Sequence, residues 1–360
     1  MNENKILHVM ILSNFLAPFI DFVDENFGRE NHHYVFITSE KYEYGLTPEH
    51  KVEFLHTDDD IFITLLKYMK MAKKIILHGL WRDKVDVLLY FNQKILKKCY
   101  FFMWGGDFYF PKTKSKIRHK IIKNIGYLVN VLENEYDLVK IWYDATGKYI
   151  QSFGYPSNIF NYKDFTYPQK KLEEIYILVG NSATQTNNHI DIFEKLKKFK
   201  DKNIKIFTPL SYGDKEYAKE VVKEGQMIFK NKFVPLFDFM EYKLYFEYLC
   251  TIDIAIFAHN RSQDMGNIIN LLGLGKKVYM RKDTTPWVFF KSKSIEIFDF
   301  DEIELSILDT RIQYNNIKNI IIKVLYNNFN YYICWRTYNK SVQNIYKVSE
   351  PNQNPMLTEI

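Results

Sequence analysis

The chain has little of what would make it a stapled, repetitive or membrane-spanning protein. Cysteine occurs only three times in 360 residues, at Cys99, Cys250 and Cys334. These positions are far apart and show no CxxC or Cys/His spacing, which excludes a disulfide scaffold and a zinc fold and leaves buried free thiols in a reducing compartment. Glycine (14) and proline (10) are sparse, which excludes collagen-like and low-complexity chains. No apolar run approaches the roughly 18 residues a membrane-spanning helix needs, so any membrane contact is expected to be peripheral. The short apolar stretch Ile6–Leu12 lacks a small-residue cleavage site and reads as a first buried strand, not as a signal peptide. Basic excess is small: 49 Lys and Arg against 43 Asp and Glu give +6 and a pI near 8.8. That is below the usual range of a dedicated nucleic-acid binder, and with no nucleic-acid motif present such a partner is not expected.

What is present is an ordinary globular balance, 47% hydrophobic and 26% charged, in a length that suggests two domains. Aromatic residues reach 17%, with 29 Phe and 27 Tyr, an excess that a codon bias also produces. Short apolar runs alternate with amphipathic stretches, the mark of parallel sheets wrapped by helices. In the first half the expected strands are Ile6–Leu12, Tyr34–Thr38, Val52–His56, Lys74–His78 and Cys99–Trp104, with helices over Ala17–Asn26, Ile61–Ala72 and Asp83–Phe91. After a polar, aromatic connection at Tyr155–Gln169 the pattern restarts. It gives strands Ile175–Val179, Ile204–Pro209, Ile252–Phe257 and Lys277–Met280, and helices Asn188–Phe199, Lys215–Glu224, Phe239–Leu249 and Asn267–Leu272. The expected fold class is α/β, two Rossmann-like domains facing across a cleft. They cover residues 1–165 and 170–330, with residues 331–360 forming a closing helix, Tyr332–Lys347, and a frayed tail.

In open parallel sheets ligands sit outside the carboxyl ends of the strands, which selects the loops to search. The loop after Ile175–Val179 runs Gly180-Asn181-Ser182-Ala183-Thr184-Gln185-Thr186-Asn187-Asn188-His189. Its small, hydroxyl and amide residues precede a helix and suit a phosphate, or simply cap the helix. No GK[ST] follows, so it is not a P-loop. The loop after Ile252–Phe257 holds His259, Arg261, Gln263, Asp264, Gly266 and Asn267. Arg261 supplies a planar cation suited to phosphate, and Gly266 permits close backbone approach; a surface ion pair is the bland alternative for Arg261. In the first half, Trp104-Gly105-Gly106-Asp107-Phe108-Tyr109 ends a strand. Asp107 is there either a candidate base or sugar-hydroxyl ligand, or a turn residue capping its own backbone. His78 could face the same place or be a bonded structural histidine, and His8 reads as core. Lys112, Lys114, Lys116, Arg118, Lys120 and Lys123, with Ile117, Ile121, Ile122, Ile125, Leu128 and Val129, read as one basic amphipathic helix lying on anionic lipid, or as a core-facing helix with a solvated basic face.

At these residues the sequence resembles the bacterial 4-acetamido-4,6-dideoxygalactose transferases, the TDP-N-acetylfucosamine:lipid II transferase or 4-alpha-L-fucosyltransferase family. The likeness rests on His8-Val9, His78-Gly79, Trp104-Gly105-Gly106-Asp107 with Tyr109, Gly180-Asn181-Ser182 with Asn188-His189, and Arg261 with Gln263 and Gly266. It implies a GT-B glycosyltransferase that moves an amino-deoxy sugar from a dTDP donor to a polyprenyl-diphosphate-linked glycan, peripherally at the cytoplasmic face of the plasma membrane. No metal or other cofactor is implied. The donor is then expected at Gly180, Asn181, Ser182, Arg261, Gln263, Gly266, Asn267 and Asn270. The acceptor is expected at His78, Trp104, Gly106 and Tyr109, with Asp107 as the catalytic carboxylate. Many retaining GT-B enzymes carry two glutamates eight positions apart; counting back from Gly275, those positions hold Ser262 and Asn270, so any ribose contact there is by an uncharged amide. Two other readings stay open: a UDP-sugar 2-epimerase, which needs acid/base groups such as Asp264 and His259, and a non-catalytic nucleotide-binding protein docking on membranes.

Overall fold

The computed structural model describes residue 1 and residues 4–152, 154–156, 160 and 174–303. The chain divides into two units after Pro156, a few residues before the boundary expected at 165–170. The closing helix Tyr332–Lys347, the frayed tail and most of the Tyr155–Gln169 connection lie outside the described residues.

The first unit is a parallel seven-stranded sheet in the order β3-β2-β1-β4-β5-β6-β7. In chain order its elements are β1 (Ile6–Met10), α1 (Leu16–Phe27), β2 (His32–Phe36), β3 (Glu53–Phe54), a π-helical turn (Asp60–Leu65) running into α2 (Leu66–Met71), and β4 (Lys74–His78). Then come α3 (Asp83–Phe91), α4 (Gln93–Leu96), β5 (Cys99–Phe102), α5 (Lys116–Asn124), β6 (Tyr127–Asn130), α6 (Glu133–Tyr143) and β7 (Lys148–Gln151). Strands buried on both faces read as continuous apolar runs, as parallel sheets require. Leu7, Val9, Ile75, Leu77 and Phe101 pack on one face with α2, α3 and α5. Ile6, Met10, Ile76 and Phe102 pack on the other with Phe19, Ile20 and Val23 of α1.

The second unit repeats the scheme with six parallel strands in the order β10-β9-β8-β11-β12-β13. Its elements are β8 (Ile175–Val179), α7 (His189–Leu196), β9 (Ile204–Pro209), α8 (Lys215–Phe229), β10 (Phe233–Leu236), α9 (Tyr242–Thr251), β11 (Ile254–Phe257), α10 (Met265–Gly273), β12 (Lys277–Met280), α11 (Thr285–Ser292) and β13 (Phe298–Asp299). Ile177, Val179, Ile254 and Ile256 meet α7 and α8; Leu178, Ala255 and Phe257 meet α10, with Phe246 of α9 and Phe290 of α11.

The basic segment differs from the expected single helix. α5 is nine residues long and starts where Ser115 Oγ accepts the Arg118 N–H (3.1 Å). It stops before Gly126, where a Cβ would fall 2.4 Å from the Lys97 carbonyl oxygen. Leu128 and Val129 therefore belong to β6, and Lys112 sits in a separate turn, Pro111–Thr113. Ile121, Ile122 and Ile125 face the unit's own core. The apolar stripe is consumed by folding, and Lys112, Lys116 and Lys120 stay exposed.

Candidate active site

In each sheet the strand order reverses once, between β1 and β4 and between β8 and β11. Loops leaving neighbouring strands there diverge to opposite faces and leave a crevice.

In the second unit that point is built from the loops after β8 and β11. Gly180 has φ +65, and a Cβ on it would come within 2.6 Å of His189 Nε2 and 2.8 Å of Asn187 Oδ1, so only glycine fits. Fully buried Asn187 holds the loop: its Oδ1 accepts the Asn181 N–H (2.9 Å) and His259 Nε2–H (3.0 Å), while its Nδ2 donates to the Ser182 and Thr184 carbonyls (both 3.1 Å). Burial pushes His259 down to about 3, so it stays neutral. Across the crevice Gln263 Nε2 donates to Asn181 Oδ1 (2.8 Å) and Gln263 Oε1 accepts from Thr186 Oγ1 (2.7 Å). Asn181 Nδ2 continues the chain to the Tyr212 hydroxyl (2.9 Å).

Asp264 has φ 58 and stands just before α10. Its Oδ1 accepts from Asn267 Nδ2 (2.7 Å), which also donates to the Tyr245 hydroxyl (3.0 Å). Asp264 Oδ2 has no hydrogen-bond partner among the described residues, and burial raises the carboxyl to about 8. Asn270, one turn into the helix and buried, likewise leaves Oδ1 without a partner. Arg261 is half-buried, with Nη1 on the Ser262 carbonyl (2.9 Å). Gly180, Asn181, Ser182, Arg261, Gln263, Gly266, Asn267 and Asn270 thus all lie in these two loops and the first turns of α10. Tyr212 and Tyr245 were missed, although Tyr212 follows the carboxyl end of β9, where the same search rule applies.

The first unit redistributes the roles expected there. Asp107 is 1% exposed: its carboxylate accepts the Trp104 N–H (3.1 Å) and the Leu80 N–H (3.2 Å), and burial raises it to about 6. It is bonded as a turn-capping residue, and no face of its carboxylate is open. Tyr109 is also core, donating to buried Glu135 (2.9 Å), and the Gly106 carbonyl accepts from Lys114 Nζ (2.7 Å). Arg118 is buried, paired through Nε with Asp86 Oδ2 (2.6 Å) and through Nη1 with the Asp107 carbonyl (3.0 Å). It is therefore no membrane contact; nor is Lys123 a free charge, since it pairs with Asp144 (3.2 Å).

His78 ends β4 in a buried chain. Trp104 Nε1 donates to the Tyr155 hydroxyl (2.8 Å), which lies 2.8 Å from His78 Nδ1. His78 Nε2 lies 3.2 Å from His8 Nδ1, and His8 Nε2 lies 2.9 Å from His32 Nδ1. Burial holds all three histidines well below their ordinary value, so the chain is neutral.

Each of the two doubly wound units has polar loops at its switch point, where open parallel sheets bind ligands, and the sequence says more. The model of the 4-alpha-L-fucosyltransferases, glycosyl transferase group 56, matches residues 12–343. The chain belongs to this family. Solved structures of similar shape include a glycosyltransferase from Rickettsia africae, 14% identical, TM-score 0.68, covering 97% of this chain and 100% of that one. HepE from Anabaena, solved with UDP and glucose, is 11% identical with TM-score 0.68, over 95% of this chain and 100% of its own. A UDP-forming trehalose-phosphate synthase from Burkholderia vietnamiensis is 7% identical with TM-score 0.65, over 96% and 100%. These neighbours have the GT-B fold, and the group 56 chain shares it. As a group 56 member the protein is a glycosyltransferase, with a nucleotide-sugar donor and a glycan acceptor; a putative UDP-N-acetylglucosamine 2-epimerase from Listeria monocytogenes (9% identical, TM-score 0.59) shares the fold alone.

Proposed function

We propose that the enzyme transfers a 4-acetamido-4,6-dideoxygalactose-like sugar from a dTDP donor to a polyprenyl-diphosphate-linked glycan at the cytoplasmic face of the plasma membrane. The observation that carries the donor assignment is the pair of oxygens at α10 without a hydrogen-bond partner among the described residues, Asp264 Oδ2 and Asn270 Oδ1, beside Arg261 and the Gln263–Asn181 bridge. A diphosphate leaving group gains charge in the transition state, and a helix N-terminus with an arginine stabilises that charge without a metal. A carboxylate would oppose it, but Asp264, raised to about 8, is mostly protonated at neutral pH and donates instead of repelling. Asn270 offers one uncharged acceptor, which suits the single hydroxyl of a deoxyribose better than the diol of a ribose. Exposed Lys112, Lys116 and Lys120 support docking on anionic lipid, each adding about 1 kcal/mol near the headgroups.

The test is transfer to a polyprenyl-diphosphate disaccharide from dTDP-, UDP- and GDP-linked forms of the same sugar. The dTDP form should be preferred, and Arg261→Ala should lower its kcat by about 100- to 1,000-fold. Turnover of the UDP form with the dTDP form inert overturns the donor assignment.

A further inference from the structure

Two aromatic rings are left in water at the carboxyl edge of the second sheet. Tyr212, in the loop leaving β9, is 58% exposed, and Phe237, the residue after β10, is 55% exposed. β9 and β10 are neighbouring strands paired through Pro209 and Leu236, and the Leu210 N–H donates to the Leu236 carbonyl (2.7 Å), so the rings leave adjacent strand ends. One exposed aromatic is ordinary; two at neighbouring strand ends, on the edge where parallel sheets bind ligands, form an apolar shelf.

Tyr212 is also held at both ends. The Ala183 N–H donates to the Tyr212 carbonyl (2.8 Å) and the Asp214 N–H to the Ala183 carbonyl (2.7 Å), which stitches the β9 loop to the β8 loop on either side of Gly213. Gly213 has φ +117, and a Cβ there would fall 2.4 Å from the Ala183 carbonyl oxygen, so this close approach requires glycine. At the far end of the ring the hydroxyl accepts from Asn181 Nδ2 (2.9 Å), and Asp264 and Arg261 both act on it electrostatically. Backbone and hydroxyl are thus fixed to the donor loops while the ring between them stays open to water. A ring already fixed loses little further freedom when a flat ligand covers it.

We propose that Tyr212 is the stacking platform for the nucleobase of the donor, with Phe237 extending its apolar surface. This rests on the nucleoside-diphosphate reading above and adds where the base lies. The hydroxyl stands beside Arg261 and Asp264, at the groups assigned to the diphosphate, and the ring leads from there to the outer strand β9, where a nucleoside joined to that diphosphate can lie flat. Because Asn181 takes up the hydroxyl, what the ring offers a ligand is its face. A nucleobase has a matching π-face, whereas a pyranose carries hydroxyls that ask for polar partners. Stacking tolerates any base, so Tyr212 supplies affinity and leaves the choice among bases to other contacts.

Calorimetric titration of the full chain with dTDP, UDP and pyrophosphate tests this. Tyr212→Ala should weaken nucleotide binding by about 10- to 100-fold, the loss of one base–aromatic stack, while pyrophosphate, which has no base, stays within about twofold. Tyr212→Phe keeps the ring and should stay within about threefold of wild type, and Phe237→Ala should lose less than Tyr212→Ala. A folded Tyr212→Ala chain that binds nucleotide as Tyr212→Phe does overturns the platform. Equal losses for nucleotide and pyrophosphate also overturn it, because Tyr212 then acts only by shaping the β8 loop. So does an unchanged dTDP affinity with a weakened dTDP-sugar, which makes the sugar the partner of the ring. A wild-type chain that prefers UDP to dTDP and loses both on Tyr212→Ala supports the platform and overturns the dTDP assignment, so the two fail separately. A wild-type chain that binds neither nucleotide overturns both.

Discussion

Mild acid should loosen the first unit before the second. His8, His32 and His78 are buried and neutral, held far below 6.5, so between pH 7 and 5.5 the unfolded chain takes up protons that the folded unit refuses. Each costs a little over 1 kcal/mol across that interval, about 4 kcal/mol for the three. Asp86 and Asp107 act the other way: both are raised to about 6, so the folded unit gains protons there as pH falls. They return about 2 kcal/mol, leaving a net loss of about 2 kcal/mol by pH 5.5 and more below it. In the second unit His189 and His259, both near 3, lose about 3 kcal/mol, and Asp264, near 8, returns about 2 kcal/mol, close to balance. Hydrogen exchange resolved by peptide, corrected for the intrinsic rate, reads this directly. Opening of peptides covering β1 and β4 should rise about 30-fold from pH 7 to 5.5, and those covering β8 and β11 less than tenfold. Protection of β1 and β4 that holds or improves at pH 5.5 is the contrary result, because neutral buried histidines cannot give that sign.

Further outcomes follow from single contacts. Arg118→Met strands Asp86 and the Asp107 carbonyl and should cost about 3–5 kcal/mol, whereas exposed Lys120→Ala should stay within about 0.5 kcal/mol; equal melting temperatures for the two would put Arg118 on the surface. Gly180→Ala must meet a positive φ, His189 and Asn187 together, so it should destabilise by at least about 1–3 kcal/mol and weaken nucleotide binding, with calorimetry as the check. Replacing Lys112, Lys116 and Lys120 by glutamine should lower partitioning onto anionic vesicles by up to about 3 kcal/mol, roughly 100-fold; unchanged, salt-insensitive partitioning contradicts the lipid-facing role.

How much of this was legible in the sequence depended on how local each determinant is. Strands Lys74–His78, Ile175–Val179, Ile204–Pro209 and Lys277–Met280 lie where their continuous apolar runs placed them. β10 escaped because Pro235 interrupts an edge strand, and β13 because it is two residues long. The single basic helix expected over residues 112–129 hides β6, while α6 and β7 lie beyond it in a stretch for which the sequence reading names no element; Gly126 is the available signal for the helix end, and its reason, close approach of the Lys97 carbonyl, is tertiary. The donor loops were found because the strand-end rule needs only strand positions. Asp86 and Arg118 lie 32 residues apart on helices whose charges look solvated, so nothing local marks them as a buried pair. Asp107 had two open readings, and the Leu80 N–H, 27 residues away, decides between them.

The proposed function turns on a nucleoside diphosphate seated at the β8/β11 switch point of this group 56 glycosyltransferase. Its most direct test is thermal unfolding of the full chain titrated with dTDP, UDP and GDP. At 100 times its dissociation constant a bound nucleotide adds about 2.7 kcal/mol. dTDP should give this shift at the lowest concentration, and Arg261→Ala should move it to higher concentration. A chain that none of the three stabilises contradicts the claim.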